Sequence, residues 1–325
     1  MRQSYFLLAV SNRQNLDLCI RHALAGFSNS GTGVWAYVDI REGDYISFLY
    51  AARAFNLYKV IRKEAIIEFQ KAAPWPPVTF RESNKTYYYP FRLYLQCERH
   101  FTEPLVRAEF AYVAENLLLR AGYRKTHFQA DQTTLQVVSQ MGSVATEAAQ
   151  SFEIPAYSAF VPRFTRRKSD VNVPLVCPFN ELILQAAIRR QIAEKSYLER
   201  MLGMLGVDTL EADVLEVLSE KAVSEGHVDI LIKDLIPIGV AHKLILEAKL
   251  AKAELEDLSQ LQGYTSEFGV ECVGQAVIAE AFPKTVLSRA AELGIRLIRY
   301  ELICNWDQPR TFAEILENLR LILVL

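Results

Sequence analysis

Apolar and polar positions in the first hundred residues alternate in short runs, and each run is rich in aromatic and β-branched side chains. Turn-forming segments such as Asn29-Ser-Gly31 and Glu42-Gly-Asp44 separate these runs, which is typical of β-strands. Residues Asn15–Leu24 differ, because their apolar positions recur at helical spacing. The pattern predicts a compact β-barrel with one helix near its start. The predicted strands are Tyr5–Val10, Gly33–Val38, Tyr45–Tyr50, Leu57–Ile61 and Phe91–Gln96.

The chain changes character after this barrel. Residues 103–121 have apolar positions at helical intervals among charged ones, which predicts a helix packed on the barrel. Thr133–Met141 and Thr146–Phe152 show no clear period, and we expect short helices or irregular structure there.

Residues 153–178 have the composition of a linker. They contain four prolines and the basic run Arg163-Phe-Thr-Arg-Arg-Lys168, and neither helical nor strand periodicity explains them. We therefore predict a first domain at 1–152 and a second domain at 179–325. The length agrees with this division, since 325 residues exceed one typical hydrophobic core.

Strands and helices alternate in the predicted second domain. A long helix at Asn180–Leu205 opens it, and helices at Ala253–Phe268 and Lys284–Leu293 follow. This order predicts a mixed α/β sheet covered by helices. The predicted strands are Val214–Leu218, Val228–Ile232, Leu244–Ala248, Cys272–Ala279 and Arg296–Tyr300.

Composition indicates the cellular compartment of the protein but does not indicate its function. The formal net charge is −2, so a nucleic-acid partner would have to meet a local basic patch. Five scattered cysteines have no zinc-ligand spacing, which fits a reducing compartment. No apolar stretch is long enough to cross a bilayer, and the first residues lack the pattern of a secretory signal. We expect a soluble cytoplasmic protein with no membrane partner.

Three charged residues interrupt two otherwise apolar predicted strands. Asp229 lies within Val228–Ile232, while Glu247 and Lys249 share one face of the strand that begins at Leu244. If the strands are neighbours, two carboxylates and an ammonium meet, which is costly unless something pairs them. A hard cation such as Mg²⁺ would pair the carboxylates, and the lysine could orient or help deprotonate a water that attacks a phosphodiester. The alternative is a solvated strand face.

The order Asp229, then Glu247-Ala-Lys249, resembles the PD-(D/E)XK nuclease superfamily. That resemblance implies a restriction-endonuclease-like α/β fold with a mixed sheet flanked by helices. It implies that Asp229, Glu247 and the backbone carbonyl of Ala248 bind Mg²⁺, for which Mn²⁺ can substitute. It also implies that Lys249 is the catalytic lysine.

The same superfamily usually adds an acidic residue from the preceding helix. By this resemblance Glu194 is the expected residue, with Glu181 and Glu199 as alternatives. Gln260 and Tyr264, on one face of the next predicted helix, resemble the QxxxY element that several branches place beside the active site to help hold DNA. This stretch of the chain is most similar to archaeal-type branched-DNA and mismatch endonucleases and to prokaryotic restriction enzymes.

The N-terminal barrel resembles the EVE/YTH/PUA-like domains that read nucleic acids, several of which recognise modified bases. The likeness rests on the opening strand that ends in Ser11-Asn12, on the helix after it, and on the Trp35-Ala-Tyr37 segment. It implies an α+β barrel with a pocket for one flipped base, in which Trp35 and Tyr37 are walls and Ser11 and Asn12 are polar contacts. Packing in the core is an equal alternative for both aromatic residues.

The two resemblances together predict a DNA endonuclease directed to modified DNA, as in modification-dependent restriction. The basic residues Arg163, Arg166, Arg167 and Lys168 would contact phosphates, although a solvated linker explains them equally well. Two alternatives stay open: a repair nuclease for branched or mismatched DNA, and a catalytically inactive nucleic-acid-binding protein. A homodimer would suit double-strand cleavage, since one such site cuts one strand.

Overall fold

The computed structural model describes residues 2–67, 73–81, 84–107, 126–146, 149–154, 156–223 and 226–325. These residues form an α+β fold with several mixed sheets, and the N-terminal sheet curls into a half-barrel. Most of the helix predicted at 103–121 lies outside the described residues, and its described part contains the short strand Leu105–Val106. Within the described ranges, no helix has the length and apolar character needed to span a membrane.

Strands and helices are numbered here in chain order. The first ten strands are β1 (Tyr5–Ala9), β2 (Leu24–Phe27), β3 (Tyr45–Tyr50), β4 (Arg53–Ile66), β5 (Val78–Phe80), β6 (Lys85–Tyr87), β7 (Phe91–His100), β8 (Leu105–Val106), β9 (His127–Ala130) and β10 (Ser143–Val144). The next ten are β11 (Ala159–Phe160), β12 (Arg163–Thr165), β13 (Val176–Pro178), β14 (Leu215–Val223), β15 (Gly226–Asp234), β16 (Lys243–Ala248), β17 (Cys272–Ala279), β18 (Arg296–Leu302), β19 (Arg310–Thr311) and β20 (Leu319–Leu323). The α-helices are α1 (Arg13–His22), α2 (Gly31–Asp39), α3 (Gln132–Val138), α4 (Glu181–Ile192), α5 (Lys195–Leu205), α6 (Leu255–Phe268), α7 (Lys284–Leu293) and α8 (Phe312–Asn318).

The N-terminal sheet has the strand order β10-β7-β4-β3-β1-β9, with β2, β8 and β11 paired beside this path. β1 is parallel to β3, and the other pairings along the path are antiparallel. The helix predicted near the start is confirmed as α1. It begins after Asn12, whose side chain accepts a hydrogen bond from the Asn15 amide and so caps the helix.

The strand predicted at Gly33–Val38 is wrong, because this segment lies in helix α2. The Ser30 hydroxyl accepts a hydrogen bond from the Gly33 amide at 3.1 Å and caps the helix start. The prediction failed because α2 is buried on nearly every side, so its apolar residues show no helical period. Trp35 is one of these core residues, with 1% of its surface exposed.

The C-terminal sheet has the order β14-β15-β16-β17-β18-β20 and mixes parallel and antiparallel pairs. Helices α6 and α7 pack on one face and α4 and α5 on the other, since their apolar side chains belong to separate buried clusters. The predicted mixed sheet covered by helices is therefore confirmed. The single helix predicted at Asn180–Leu205 is instead α4 and α5, which are separated at Ala193-Glu194. Apolar spacing continues across this break, so no sequence signal marks it.

Residues 153–178, predicted as a linker, contain the short strands β11, β12 and β13. β11 pairs with β4 of the N-terminal sheet, and β12 pairs with β13 and β19. Strands of two or three residues are too short to show a period, so the pattern did not predict them. Side chains from both predicted domains share one buried cluster, which includes Phe6, Trp35, Ile188 and Leu246. The division into two domains stays a prediction.

Candidate active site

Asp229 lies where the backbone pairing between β15 and β16 ends. The last paired residues are Ile230 and Leu246. One residue further, Asp229 Oδ2 accepts a hydrogen bond from the Ala248 amide at 2.9 Å, so a side chain replaces the next backbone contact. Only 8% of Asp229 is exposed. The two strands are therefore neighbours, as the sequence prediction required, and the Asp229 carboxylate is held between them.

Glu247 and Lys249 form an ion pair in which Glu247 Oε1 lies 2.9 Å from Lys249 Nζ. Glu247 is 1% exposed, and its second oxygen, Oε2, is buried without a hydrogen-bond partner in the described part of the chain. Burial and the charge of Asp229 raise the pKa of Glu247 to about 8, against the opposing effect of Lys249. A buried carboxylate oxygen without a partner is unfavourable. Oε2 is therefore a candidate ligand for a cation.

Two further carboxylates approach the Lys249 ammonium. Asp257 Oδ1 lies 3.6 Å from Nζ, and Glu181 Oε1 lies 4.0 Å from it. Burial alone would lower the pKa of Lys249, but Glu247 and the other acidic neighbours raise it above its usual value. The direction of this shift favours the protonated ammonium, a hydrogen-bond donor, at neutral pH.

Sequence reasoning missed Asp257. This residue lies in the first turn of α6, where its Oδ2 accepts a hydrogen bond from the Glu254 amide at 2.7 Å. Glu254 accepts a hydrogen bond from the Asp257 amide in return, so the two residues form a capping box. An acidic pair at this spacing, just after the predicted catalytic lysine, is the signal that could have pointed to it.

Glu181 contacts the site, whereas Glu194 lies away from it. Glu181 begins α4, and its Oε2 accepts a hydrogen bond from the Leu250 amide at 3.2 Å. Glu194 lies beyond the opposite end of this 12-residue helix, about 18 Å further along the helix axis, and it is exposed. Glu199 lies in α5 and is exposed as well. Glu181, an alternative in the sequence prediction, therefore lies close to Lys249, whereas Glu194, the expected residue, does not.

Gln260 and Tyr264 contact each other on α6. Gln260 Nε2 donates a hydrogen bond to the Tyr264 hydroxyl at 2.7 Å, and this hydroxyl donates to the His227 carbonyl at 3.0 Å. Tyr264 is buried, and its pKa is raised by burial and by the charges of Glu247 and Asp229. The tyrosine therefore packs α6 against the start of β15, and Gln260 is exposed.

Arg166, from the predicted linker, reaches the same region. Its guanidinium donates hydrogen bonds to the Tyr300 hydroxyl at 3.1 Å and to Glu280 Oε1 at 2.9 Å. The Tyr300 hydroxyl donates in turn to the carbonyl of Leu250, the residue after Lys249. A continuous chain of hydrogen bonds therefore connects Arg166 with the backbone next to the lysine.

The other basic residues of this run contact different parts of the chain. Arg167 pairs with the exposed Asp307, and Arg163 donates a hydrogen bond to the Pro309 carbonyl at 3.2 Å. Lys168 is exposed at the start of a 3₁₀ turn. The structure thus separates Arg166 from its three neighbours.

The residues predicted to form a base pocket have structural contacts of their own. Asn12 caps α1, and Ser11 Oγ accepts a hydrogen bond from the side-chain nitrogen of Asn12, Nδ2, at 3.4 Å. Trp35 is a core residue, and the Tyr37 ring packs 5.4 Å from the Phe91 ring. Both aromatic residues therefore pack in or against the hydrophobic core, which is the alternative given by the sequence analysis. Contact of the four residues with a base stays a prediction.

The donor set fits a hard divalent cation. Asp229 and Glu247 are adjacent carboxylates, Glu247 Oε2 has no described partner, and the Ala248 carbonyl is a candidate third donor. Across the described residues, no group of three or more His, Cys, Asp or Glu side chains is arranged to hold a metal ion. Mg²⁺ nevertheless commonly uses only one or two protein carboxylates and completes its shell with waters and phosphate oxygens. Two carboxylates are therefore sufficient.

Comparisons with known proteins find likeness among solved structures only. No protein-family model matches the sequence, and no curated protein matches it. The structure of the EndoMS–dsDNA2 complex matches 31% of this chain and 42% of its own chain, with 21% identity and a TM-score of 0.22. A repair endonuclease from Pyrococcus abyssi matches 32% of this chain and 46% of its own, with 20% identity and a TM-score of 0.22.

The DNA modification-dependent restriction endonuclease AspBHI matches a longer part of the chain. The match covers 87% of this chain and 66% of that one, with 14% identity and a TM-score of 0.21. The present chain spans less than half the length of the EndoMS and Pyrococcus proteins. TM-scores this low do not support a functional assignment, so the function has to be inferred from the geometry of the site.

Proposed function

We propose that this protein is a Mg²⁺-dependent DNA endonuclease that hydrolyses phosphodiester bonds at Asp229, Glu247 and Lys249. The proposal rests on one observation about Glu247. Its buried Oε2 has no hydrogen-bond partner among the described residues, its Oε1 pairs with Lys249, and the charge of Asp229 is close enough to raise its pKa. The resemblance of these residues to the PD-(D/E)XK pattern agrees with it.

Each residue has a distinct role in this proposal. Asp229, Glu247 and the Ala248 carbonyl hold the cation, which when bound polarises the scissile phosphate and acidifies a water. Lys249 stays protonated, because its pKa is raised. Its ammonium orients the attacking water and offsets the negative charge that develops on the phosphate. Glu181 and Asp257 also lie within 4.0 Å of that ammonium and help to keep it in place.

Arg166 supports DNA as the substrate. Its guanidinium carbon lies 5.5 Å from the centre of the Phe179 ring and 5.4 Å from that of Trp306, so the two rings restrict its motion. Its ion-pair partner Glu280 is about half exposed. A DNA phosphate can replace Glu280 with a charge-assisted, bidentate contact, which arginine makes readily. We assign Arg166 to a phosphate near the scissile bond.

Targeting to modified DNA is the second part of the proposal, and the resemblance of the N-terminal region to EVE/YTH/PUA-like domains supports it. A cavity of about 720 Å³ at the N-terminal sheet has the volume of a ligand site. Its lining includes Arg2, Tyr45, Arg99 and Gln136, and it does not include the four residues of the predicted base pocket. One aromatic ring and several hydrogen-bond donors there could stack on a flipped base and identify it.

A DNA panel digested with purified protein and Mg²⁺ or Mn²⁺ tests both parts. The panel contains unmodified duplex, duplexes with different base modifications, and flap and mismatch duplexes. We expect cleavage of modified duplex. Cleavage of flap or mismatch substrates alone would instead indicate a repair nuclease. No cleavage of any substrate would overturn the proposed nuclease activity.

Two lysine variants, one in the proposed site and one outside it, show whether the site catalyses any cleavage that is observed. Lys249→Ala should lower the rate by about a thousandfold or more, because the charged donor beside the phosphate is lost. Lys252→Ala removes a nearby exposed lysine that pairs with Glu254, and it should keep the wild-type rate. Equal rates for the two variants would place the nuclease activity elsewhere. Sedimentation with and without DNA tests the proposed homodimer.

A further inference from the structure

Asp257 has one carboxylate oxygen fixed by the helix start and the other facing Lys249. Its Oδ2 accepts a hydrogen bond from the Glu254 amide at 2.7 Å, and its Oδ1 lies 3.6 Å from Lys249 Nζ. The side chain is 14% exposed, so water screens this contact only weakly. The capping box holds the carboxylate in one orientation. The position of the Asp257 carboxylate is therefore fixed within α6 and does not depend on the pairing of β15 and β16.

Lys249 competes with a cation for Glu247. The ammonium has three donor hydrogens, and its closest acceptor is Glu247 Oε1 at 2.9 Å. The same carboxylate is the proposed metal ligand, and a divalent cation on it would repel the ammonium. A lysine that must stay beside the attacking water then needs a second anchor. Glu181 is further away, at 4.0 Å, and 41% exposed, whereas Asp257 is nearer and better buried.

We propose that Asp257 is a positioning residue that holds Lys249 in the active site once Glu247 binds the cation. This inference rests on the proposed nuclease function. Asp257 touches neither the substrate nor the cation, and it acts through the lysine. Asp257 differs from a residue that only caps a helix. Its Oδ2 makes the capping hydrogen bond, and its Oδ1 is left facing Lys249 Nζ.

Asp257→Asn is the decisive variant, because asparagine keeps an acceptor oxygen for the Glu254 amide but has no charge for Lys249. We expect kcat to fall about tenfold to a hundredfold, while KM for DNA changes less than about threefold. Asp257→Glu restores the charge and should regain most of the activity. Mn²⁺ affinity, measured by calorimetry without DNA, should change less than about threefold in both variants.

Glu254→Gln is the matched control. Glu254 is the other half of the capping box, but it is exposed and its ion-pair partner is Lys252. We expect wild-type kcat for this variant. Equal loss of kcat in Asp257→Asn and Glu254→Gln would mean that Asp257 serves only as a helix cap. Loss of Mn²⁺ binding in Asp257→Asn would make it a metal ligand, which also overturns the positioning role.

A crystal structure of the Mn²⁺-bound protein provides a readout that does not require activity. We expect the distance from Lys249 Nζ to Asp257 Oδ1 to shorten from 3.6 Å to hydrogen-bonding range, about 3 Å. A lysine that stays on Glu247 and away from Asp257 would contradict the inference. If the wild-type protein cleaves no DNA in the panel, the proposed function fails, and this distance still decides whether Asp257 anchors the lysine.

Discussion

Arg189 and Asp39 form a buried ion pair, although 150 residues separate them in the sequence. The Arg189 guanidinium donates two hydrogen bonds to Asp39 Oδ1, at 3.0 and 2.6 Å, and a third to the Asp39 carbonyl at 3.1 Å. His127 Nε2 lies 2.8 Å from the other carboxylate oxygen. Burial alone would raise the pKa of Asp39, but Arg189 and His127 hold it well below its usual range. The pair joins α2 to α4, whose first residue, Glu181, contacts Lys249.

We expect Arg189→Met to lower the free energy of unfolding by about 3–5 kcal/mol, because it leaves the Asp39 carboxylate buried without its cation. Arg13→Met is the matched control, since Arg13 pairs with Asp17 on the exposed surface of α1. We expect a change below about 1 kcal/mol there. Urea unfolding followed by tryptophan fluorescence measures both variants. Similar losses would show that the buried pair contributes no more than a surface one.

Protein stability should fall from mildly acidic to mildly basic pH because of Glu247. Burial and Asp229 raise the pKa of this glutamate from 4.5 to about 8. The native state therefore binds the proton more tightly than the unfolded chain does. The resulting stabilisation is present below about pH 4.5 and is lost as the pH rises through about 8. The raised pKa of Lys249 does not cancel this loss, because it acts only above about pH 10.5.

Glu247→Gln keeps the neutral form of this side chain at every pH. Between about pH 6 and pH 9, we expect its free energy of unfolding to change less than that of the wild type. Urea unfolding in the presence of a chelator measures this slope. Glu254→Gln, which changes an exposed glutamate, should keep the wild-type slope. A wild-type stability that rises over this interval would contradict the raised pKa.

Cation affinity should rise with pH over the same interval, because only the ionised Glu247 is a ligand. We expect the Mn²⁺ association constant to increase about tenfold for each pH unit below about 8 and to level off above it. Calorimetry without DNA measures this profile. Glu247→Gln should bind Mn²⁺ at least about tenfold more weakly above about pH 8, and its affinity should not show this rise with pH. An affinity independent of pH would exclude Glu247 as a ligand.

Alanine substitutions of two glycines in α2 test how closely this helix packs on Ser28. A Cβ atom at Gly33 would lie 1.9 Å from the Ser28 carbonyl oxygen, whereas one at Gly31 would meet only Asn180 Nδ2 at 3.4 Å. We expect Gly33→Ala to lower the free energy of unfolding by about 2 kcal/mol or more. Gly31→Ala should change it by about 1 kcal/mol or less. Melting temperatures compare the two variants, and equal values would contradict the close packing of Ser28 on this helix.

The grouping of Asp229, Glu247 and Lys249 was predictable, because strand periodicity is local. Glu247 and Lys249 interrupt a run of buried apolar residues at alternate positions, and Asp229 does the same in the preceding strand. Burying such charges is unfavourable unless another group pairs them, and this cost led to the prediction of a bound cation. Asp257 was harder to find, because a capping residue has its own local explanation and its distance from Lys249 depends on how α6 packs.

Local patterns in the sequence by themselves determined four strands of the N-terminal sheet, five of the six strands of the C-terminal sheet, and the helices α1, α6 and α7. They also singled out the three charged residues within or directly after β15 and β16. Only the tertiary structure decided that residues 31–39 form a helix, because burial on all sides removes the apolar period. It also decided that Glu181 and not Glu194 reaches Lys249. The reason is physical: periodicity reports which face of an element is buried, whereas contacts between distant residues depend on how whole elements pack together.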